Sequence, residues 1–473
     1  MNQAVYTLEE ESRKVKYAGT ISSRVPRNGF KLPYALMLLH IPLGVFLYNA
    51  GWFALIHPLA VLFIGMRRAL QVEEKLDRVA LIPAYIVGAE ILWRMANVPV
   101  FWEFGKYASA LIMITALVKR NLWKMPAFPV FYFVLLLPAC FLVFTENRLS
   151  QVQNLISFNL SGPFFLFVSC WFFSQIKIGE LKIKKLFLAL IIPLISVLVT
   201  TLFYTVTAPE IEFTGESNFA TSGGFGPNQV SSMLGLGVFL CFSSFLLFKN
   251  SFDFSIFLGA TAMLFTAQCV MTFSRGGIYN AVGSVSLVVL LQLRNLNKNI
   301  RRLIPLAVLV GIFLVLVFPF LNDFTGGALQ ERFEDRETTG RFEIVEADLK
   351  VFAENPVLGV GLGGADNARQ KFLDSKTAIS HTEFSRLLSE HGSFGLLALG
   401  TIVLMFIFNF RKQTSNFGRA LVVGVFAWST LFMLGAGMRL AAPSFLLGMI
   451  YLTAVNFQTK TAARQAPKRL VER

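Results

Sequence analysis

Charge is scarce in this chain. Asp, Glu, Lys and Arg make up 15% of 473 residues, where a soluble domain carries about 25%. That shortage excludes an ordinary water-soluble globule. Acidic residues are the scarcer sign, 28 against 43 basic ones, for a net charge of +15. Cysteine is sparse too. The four thiols, Cys140, Cys170, Cys241 and Cys269, all fall in apolar stretches. No CxxC or Cys/His spacing surrounds them, so they read as small buried hydrophobes rather than zinc ligands or a redox pair. Of the four histidines, His40 and His57 also sit in apolar stretches and read as structural.

Apolar residues are abundant: 55% hydrophobic, with 49 Phe and a mean hydropathy of +0.60. Stretches of about 20 apolar residues, enough to cross a bilayer as helix, recur along most of the chain. They centre on 33–49, 51–66, 79–96, 104–118, 126–144, 156–174, 186–206, 228–248, 254–273, 277–293, 303–321, 393–410, 419–438 and 442–456. The pattern predicts an all-α, polytopic helical bundle of roughly twelve to fourteen spans. Five zones follow: a cytoplasmic tail over 1–32, a transmembrane bundle over 33–321, and a large outer loop over 322–392. Transmembrane helices over 393–456 and a basic cytoplasmic tail over 457–473 complete the chain. The N-terminal stretch, with Glu9-Glu10-Glu11, lacks the layout of a cleaved signal peptide.

Basic residues cluster in alternate connections: Arg67-Arg68, Lys119-Arg120, Lys182 to Lys185, Arg294 to Arg302, Arg411-Lys412 and Lys460 to Arg473. With the N-terminus inside, this is the positive-inside bias. The net charge therefore sets orientation and contacts anionic membrane lipid rather than nucleic acid. The same bias puts 322–392 outside the cytoplasm.

Within that loop the stretch from Gly340 to Leu397 is a polar island, and ionisable groups gathered beside a bilayer mark functional sites. Ile344, Val345, Leu349 and Phe352 fall on one helical stripe that Asn355-Pro356 ends. Phe384, Leu387 and Leu388 fall on another, with Ser380 as the expected N-cap and Gly392 as the stop. Two amphipathic helices with a glycine turn between them are expected. Gly359, Gly361 and Gly364 fit G-x-G-x-x-G, but no strand precedes them, so a tight turn is the expected reading. Glu346 and Asp348, two apart on a helix, point to different faces and make a poor metal pair. His391, at the helix end, is expected to cap it or face solvent.

Four stretches occur in order: Phe225-Gly226-Pro227-Asn228; Ser274-Arg275-Gly276-Gly277; Gly340-Arg341 followed by Glu354-Asn355-Pro356-Val357-Leu358-Gly359-Val360-Gly361; and His381 followed by Leu387-Leu388, Glu390, Gly392, Gly395 and Leu396. With these surroundings the chain resembles the O-antigen ligase and O-antigen polymerase family of bacterial envelope glycosyltransferases, over roughly 215–410. Thr382 stands where that family often has Asn or Ser, and Val345 where a Trp is common.

The resemblance implies a bundle like that of membrane glycosyltransferases of the GT-C type, in the bacterial inner membrane with its active site facing the periplasm. It implies a polyprenyl-diphosphate-linked glycan as donor and a lipid or glycan hydroxyl as acceptor, with no cofactor and no metal. Arg offers a planar fork suited to phosphate oxygens, and the resemblance assigns Arg275 and Arg341 to the diphosphate. A neutral imidazole suits proton removal from a hydroxyl near pH 7, and the resemblance makes His381 that base. Arg94, Arg439 and Asn228 are further candidates. Two other classes stay open, a lipid-linked glycan transporter or flippase and a non-catalytic envelope scaffold. A transporter would carry charges at mid-membrane depth, whereas most charges here lie at span ends or in the loop.

Overall fold

A computed structural model describes residues 31–146, 149–208, 210–294, 296–335, 341–373 and 382–455. The protein is an all-α polytopic membrane bundle. Among the described residues, eleven helices are long and apolar enough to cross a membrane, fewer than the twelve to fourteen expected. The difference lies in three of the expected spans. The Leu81–Met95 and Phe104–Lys119 helices have 15 and 16 residues, and the Ala441–Tyr451 stretch is also short. At about 1.5 Å per residue these fall short of a hydrocarbon core about 30 Å thick. The first two also carry buried charge: Glu90, Arg94 and Lys106, with Glu103 beside them. Glu103 and Lys106 form an ion pair, and Ser161 donates to Glu103 at 3.0 Å.

Close backbone contact organises the centre. The Pro227–Leu247 helix packs along Arg275–Leu293, which packs in turn along Asn416–Ala436. At the first crossing a Cβ on Gly277 would collide with the Ser231 carbonyl, and one on Gly235 with the Gly277 backbone. Small residues that let helix backbones touch are the usual means of packing in lipid, where apolar side chains gain little by leaving it. The Leu81–Met95 helix crosses Glu180–Thr207 at Gly88, where an added Cβ would stand 2.5 Å from the Leu190 carbonyl.

The periphery differs. Only 6% of the most apolar stretch of the Ile300–Phe324 span is buried, so lipid is its main neighbour. At the far end of the bundle from the loop, Lys177–Ile178 and Thr453–Ala454 form a parallel two-residue bridge. His40 and His57 are joined through Tyr85. Trp93 Nε1 donates to His57 Nδ1 at 2.9 Å, and the Tyr85 hydroxyl lies 2.9 Å from His57 Nε2 and 2.8 Å from His40 Nε2. His40 Nδ1 is 2.7 Å from the Leu36 carbonyl. Since an indole only donates and a carbonyl only accepts, both imidazoles are satisfied in their neutral forms, in a structural role.

Candidate active site

Arg275 is placed by a strained turn. The Phe252–Met271 helix ends and the chain reverses through Thr272, Phe273 and Ser274 before Arg275 begins the next helix. Phe273 sits in the left-handed region, φ 58°, where a bulky residue costs on the order of 1–3 kcal/mol. Burial offsets that strain. Phe273 is fully buried, its ring stacks on Phe213 with centroids 5.7 Å apart, and its carbonyl accepts from Arg332 Nε at 3.0 Å. Ser274 is tied down as well, donating to Asn228 Oδ1 at 2.8 Å and accepting from Ser231 Oγ at 2.8 Å.

Three arginines converge beyond this turn. Arg275 and Arg341, with Asn228, line one cleft of about 550 Å³ together with Arg332, Asp335, Tyr279, Phe342 and Thr382. Arg275 donates to the Asp335 carbonyl, and its guanidinium stands 3.9 Å from the Asp335 carboxylate. Arg332 approaches the same carboxylate at 3.5 Å. Among its described lining residues the cleft thus gathers three guanidinium groups and one carboxylate, which Arg275 and Arg332 share. Burial pushes the Arg341 pKa down, and Arg275 and then Arg332 push it the same way. Arg332 is depressed by burial and then by Arg275, while Asp335 and Glu216 pull it back up. Arginine stays protonated regardless. The physical content is like-charge crowding, which an anion in the cleft would relieve.

Arg332 escaped the sequence reading. It sits in Glu331-Arg332-Phe333-Glu334-Asp335, a run of mixed charge that looks like a solvated helix face. Its burial arises only because the Ala328–Glu334 helix folds back onto the Phe273 turn.

The cleft also reaches the N-terminal end of the Glu383–Lys412 helix. Its cap is Thr382, whose Oγ1 accepts from Ser385 N at 3.1 Å, two residues after the expected cap, Ser380. His381 and Gly340 lie outside the described residues; Thr382, next to His381, lines the cleft. Ser385 Oγ donates to Asp348 at 2.6 Å, and Asp348 pairs with Arg369 at 2.5 Å, both side chains fully buried. These bonds join the Arg341–Glu354 helix to the cleft wall. Asp348 is thus occupied, and Glu346 pairs with Lys350 at 2.8 Å on the exposed face.

One turn further, Arg386 bonds Glu383 at 2.5 Å, Glu390 at 2.6 Å and Asn159 at 3.1 Å. Each carboxylate also holds backbone: Glu383 accepts from Met438 N at 3.1 Å and Glu390 from Gly363 N at 3.0 Å. Gly392, at φ 59° and ψ −136°, then kinks the helix. The break leaves the Ser389 and Glu390 carbonyls without helical partners, and Val360 N and Gly361 N satisfy them at 3.0 and 3.1 Å. The glycine run is therefore the partner of the kink. Contrary to the expectation that it caps the helix or faces solvent, His391 is buried where the kinked helix packs on Ala127–Leu136.

Arg94 and Arg439 lie outside the cleft. Arg94 donates to Glu90 at 2.7 Å, to Gln229 at 3.2 Å, and to the Trp102 and Arg439 carbonyls at 3.1 Å each. It also lies 4.3 Å from the Trp102 ring centre. Glu90 in turn accepts from Ala441 N at 2.7 Å. The pair knits three segments together. Arg439 lies over Phe158 at 5.5 Å, in a small hollow of about 20 Å³ shared with Thr382, Glu383 and Arg386. Thr382 is the wall common to that hollow and the arginine cleft.

Arg275, Arg332, Asp335, Arg341, Thr382 and the Arg386 cluster's Glu383 and Glu390 all fall in one continuous stretch. Residues 260–400 match the O-antigen ligase family model. The O-antigen ligase match runs from the helix before the strained turn, through Arg275, Arg332 and Arg341, to just beyond the Gly392 kink. It covers a little under a third of the chain and lies inside the 215–410 resemblance drawn from the four motifs. No curated protein matches the chain. The family supports a ligase-like, glycan-transferring role in a multi-pass membrane protein.

Proposed function

We propose that the protein transfers a glycan from a polyprenyl-diphosphate carrier to an acceptor hydroxyl at the loop side of the bacterial inner membrane. The observation that carries this reading is the convergence of Arg275, Arg332 and Arg341 on one cleft, where Arg275 and Arg332 share the Asp335 carboxylate. A diphosphate brings negative charge to a cleft lined by three guanidinium groups, whose planar forks match its oxygens. Phe342, Tyr279 and Leu434 are exposed apolar walls of the same cleft and suit the first units of the lipid tail.

In the reaction the acceptor oxygen bonds to the anomeric carbon as the bond from that carbon to the diphosphate oxygen breaks. The acceptor proton passes to His381, and polyprenyl diphosphate leaves with its charge held by the arginines. Fixed guanidinium groups aimed at a leaving group stabilise the transition state without reorganisation.

The test is transfer of a glycan from polyprenyl diphosphate by the purified chain, with Arg275→Ala, Arg341→Ala and His381→Ala alongside, each confirmed as folded. Transfer by wild type and loss in all three variants is the expected result. Full activity in the variants would remove the site assignment, and inertness of wild type towards every acceptor would favour transport or scaffolding. The acceptor consumed separates ligase from polymerase.

A further inference from the structure

A second hollow, of about 490 Å³, lies between the glycine run and the helices around residues 142–155. That size falls within the range of about 300–1,000 Å³ typical of small-molecule sites. Its chemistry is unlike that of the arginine cleft. Among the described lining residues none is charged; Gln151, Asn154 and Asn367 bring carboxamides, and Leu142, Leu155 and Leu362 bring apolar surface. A carboxamide offers both donors and an acceptor, which suits sugar hydroxyls, themselves both donor and acceptor. The leucines suit the C–H faces of sugar rings. Backbone forms the remaining wall. Gly363 has φ 71°, a left-handed conformation that favours glycine, and its backbone passes close to Leu155.

The hollow is rigidly indexed to the cleft. Gly363 N is held by Glu390, Glu390 by Arg386, and Arg386 by Glu383, next to the Thr382 that lines the cleft. Along the helix from Thr382 to Glu390 the distance is about 12 Å at 1.5 Å per residue, a separation that a chain of several sugar rings spans.

We infer that this hollow binds the uncharged, hydroxyl-rich sugars of a glycan substrate while its reacting end lies in the arginine cleft. The inference rests on the glycan-transferase reading. Asn154 and Asn367 are both exposed, so their replacement leaves the core packing alone.

The test uses the full chain in nanodiscs free of diphosphate lipid, with uncharged gluco-, galacto- and manno-oligosaccharides as probes and ligand-observed NMR as readout. Wild type should bind at least one probe, and the Asn154→Leu/Asn367→Leu double variant should bind it about tenfold more weakly, as expected for two lost hydrogen bonds. In transfer assays the same variant should raise one KM by a similar factor: the acceptor's if the hollow holds acceptor sugars, the donor's if it holds the transferred chain. Absence of probe binding by wild type, or equal binding by the double variant, overturns the subsite. Intact transfer with sugar binding that ignores the carboxamides would overturn the subsite alone. Carboxamide-dependent binding with no transfer by wild type would overturn the transferase reading alone.

Discussion

The Phe273 carbonyl accepts from Arg332 Nε at 3.0 Å, so the residue that strains the backbone before Arg275 also positions the second arginine of the cleft. Arg332→Ala is expected to raise the donor KM by about 10- to 100-fold, the equivalent of losing charge-assisted bonds of ~1.5–3 kcal/mol. Arg332→Lys should recover part of this, since Lys keeps the charge but not the planar fork. Donor titration of purified variants with matched Tm values checks the effect; an unchanged KM for Arg332→Ala removes Arg332 from the site.

Adjacent glycines should behave oppositely. A Cβ on Gly277 meets the Ser231 backbone, while one on Gly276 meets nothing within 4 Å. Gly277→Ala is therefore expected to destabilise by about 1–3 kcal/mol through overpacking, and Gly276→Ala to leave Tm nearly unchanged. Thermal unfolding in detergent distinguishes them. Equal Tm values would mean the two helices part without cost.

The Arg386 cluster makes a sharper demand. Arg386→Met leaves Glu383 and Glu390 buried without their partner, and breaking such a cluster costs on the order of 3–5 kcal/mol. Adding Glu383→Gln and Glu390→Gln removes the stranded charges and should restore much of the loss. If the triple variant is no more stable than Arg386→Met, the charge balance is not what holds the kinked helix.

Chelation tests how the leaving-group charge is met. With three guanidinium groups lining the cleft, transfer is expected to proceed at an unchanged rate in excess chelator. A tenfold fall reversed by added magnesium would assign that charge to a cation instead.

Much of the fold was legible because hydropathy is a one-dimensional signal. The long spans need only apolar length, and Arg275 and Arg341 stand out as basic residues at the edges of apolar or amphipathic stretches. Residues whose role depends on distant partners were not legible. Arg94 looks like half of an i,i+4 pair with Glu90, yet the bond that defines its place is to the Arg439 carbonyl, 345 positions away. Arg332 looks like surface because its own neighbours carry compensating charge. The Leu81–Met95 helix read as a span because its apolar count hides how few turns it has. His391 read as exposed because the Gly392 backbone angles that bury it leave no periodic trace.

The Ile300–Phe324 helix, wrapped mainly by lipid, runs on within a few residues to Arg332 and Asp335. Bilayer thickness therefore acts on this helix directly, at fractions of a kcal/mol per Å of mismatch, with little protein contact to resist it. One side of the anion cleft is thus moored to the solvent of the membrane as well as, through Arg332 and the Phe273 turn, to the bundle, and the acyl-chain length of the host lipids becomes part of the geometry that an anion in the cleft meets.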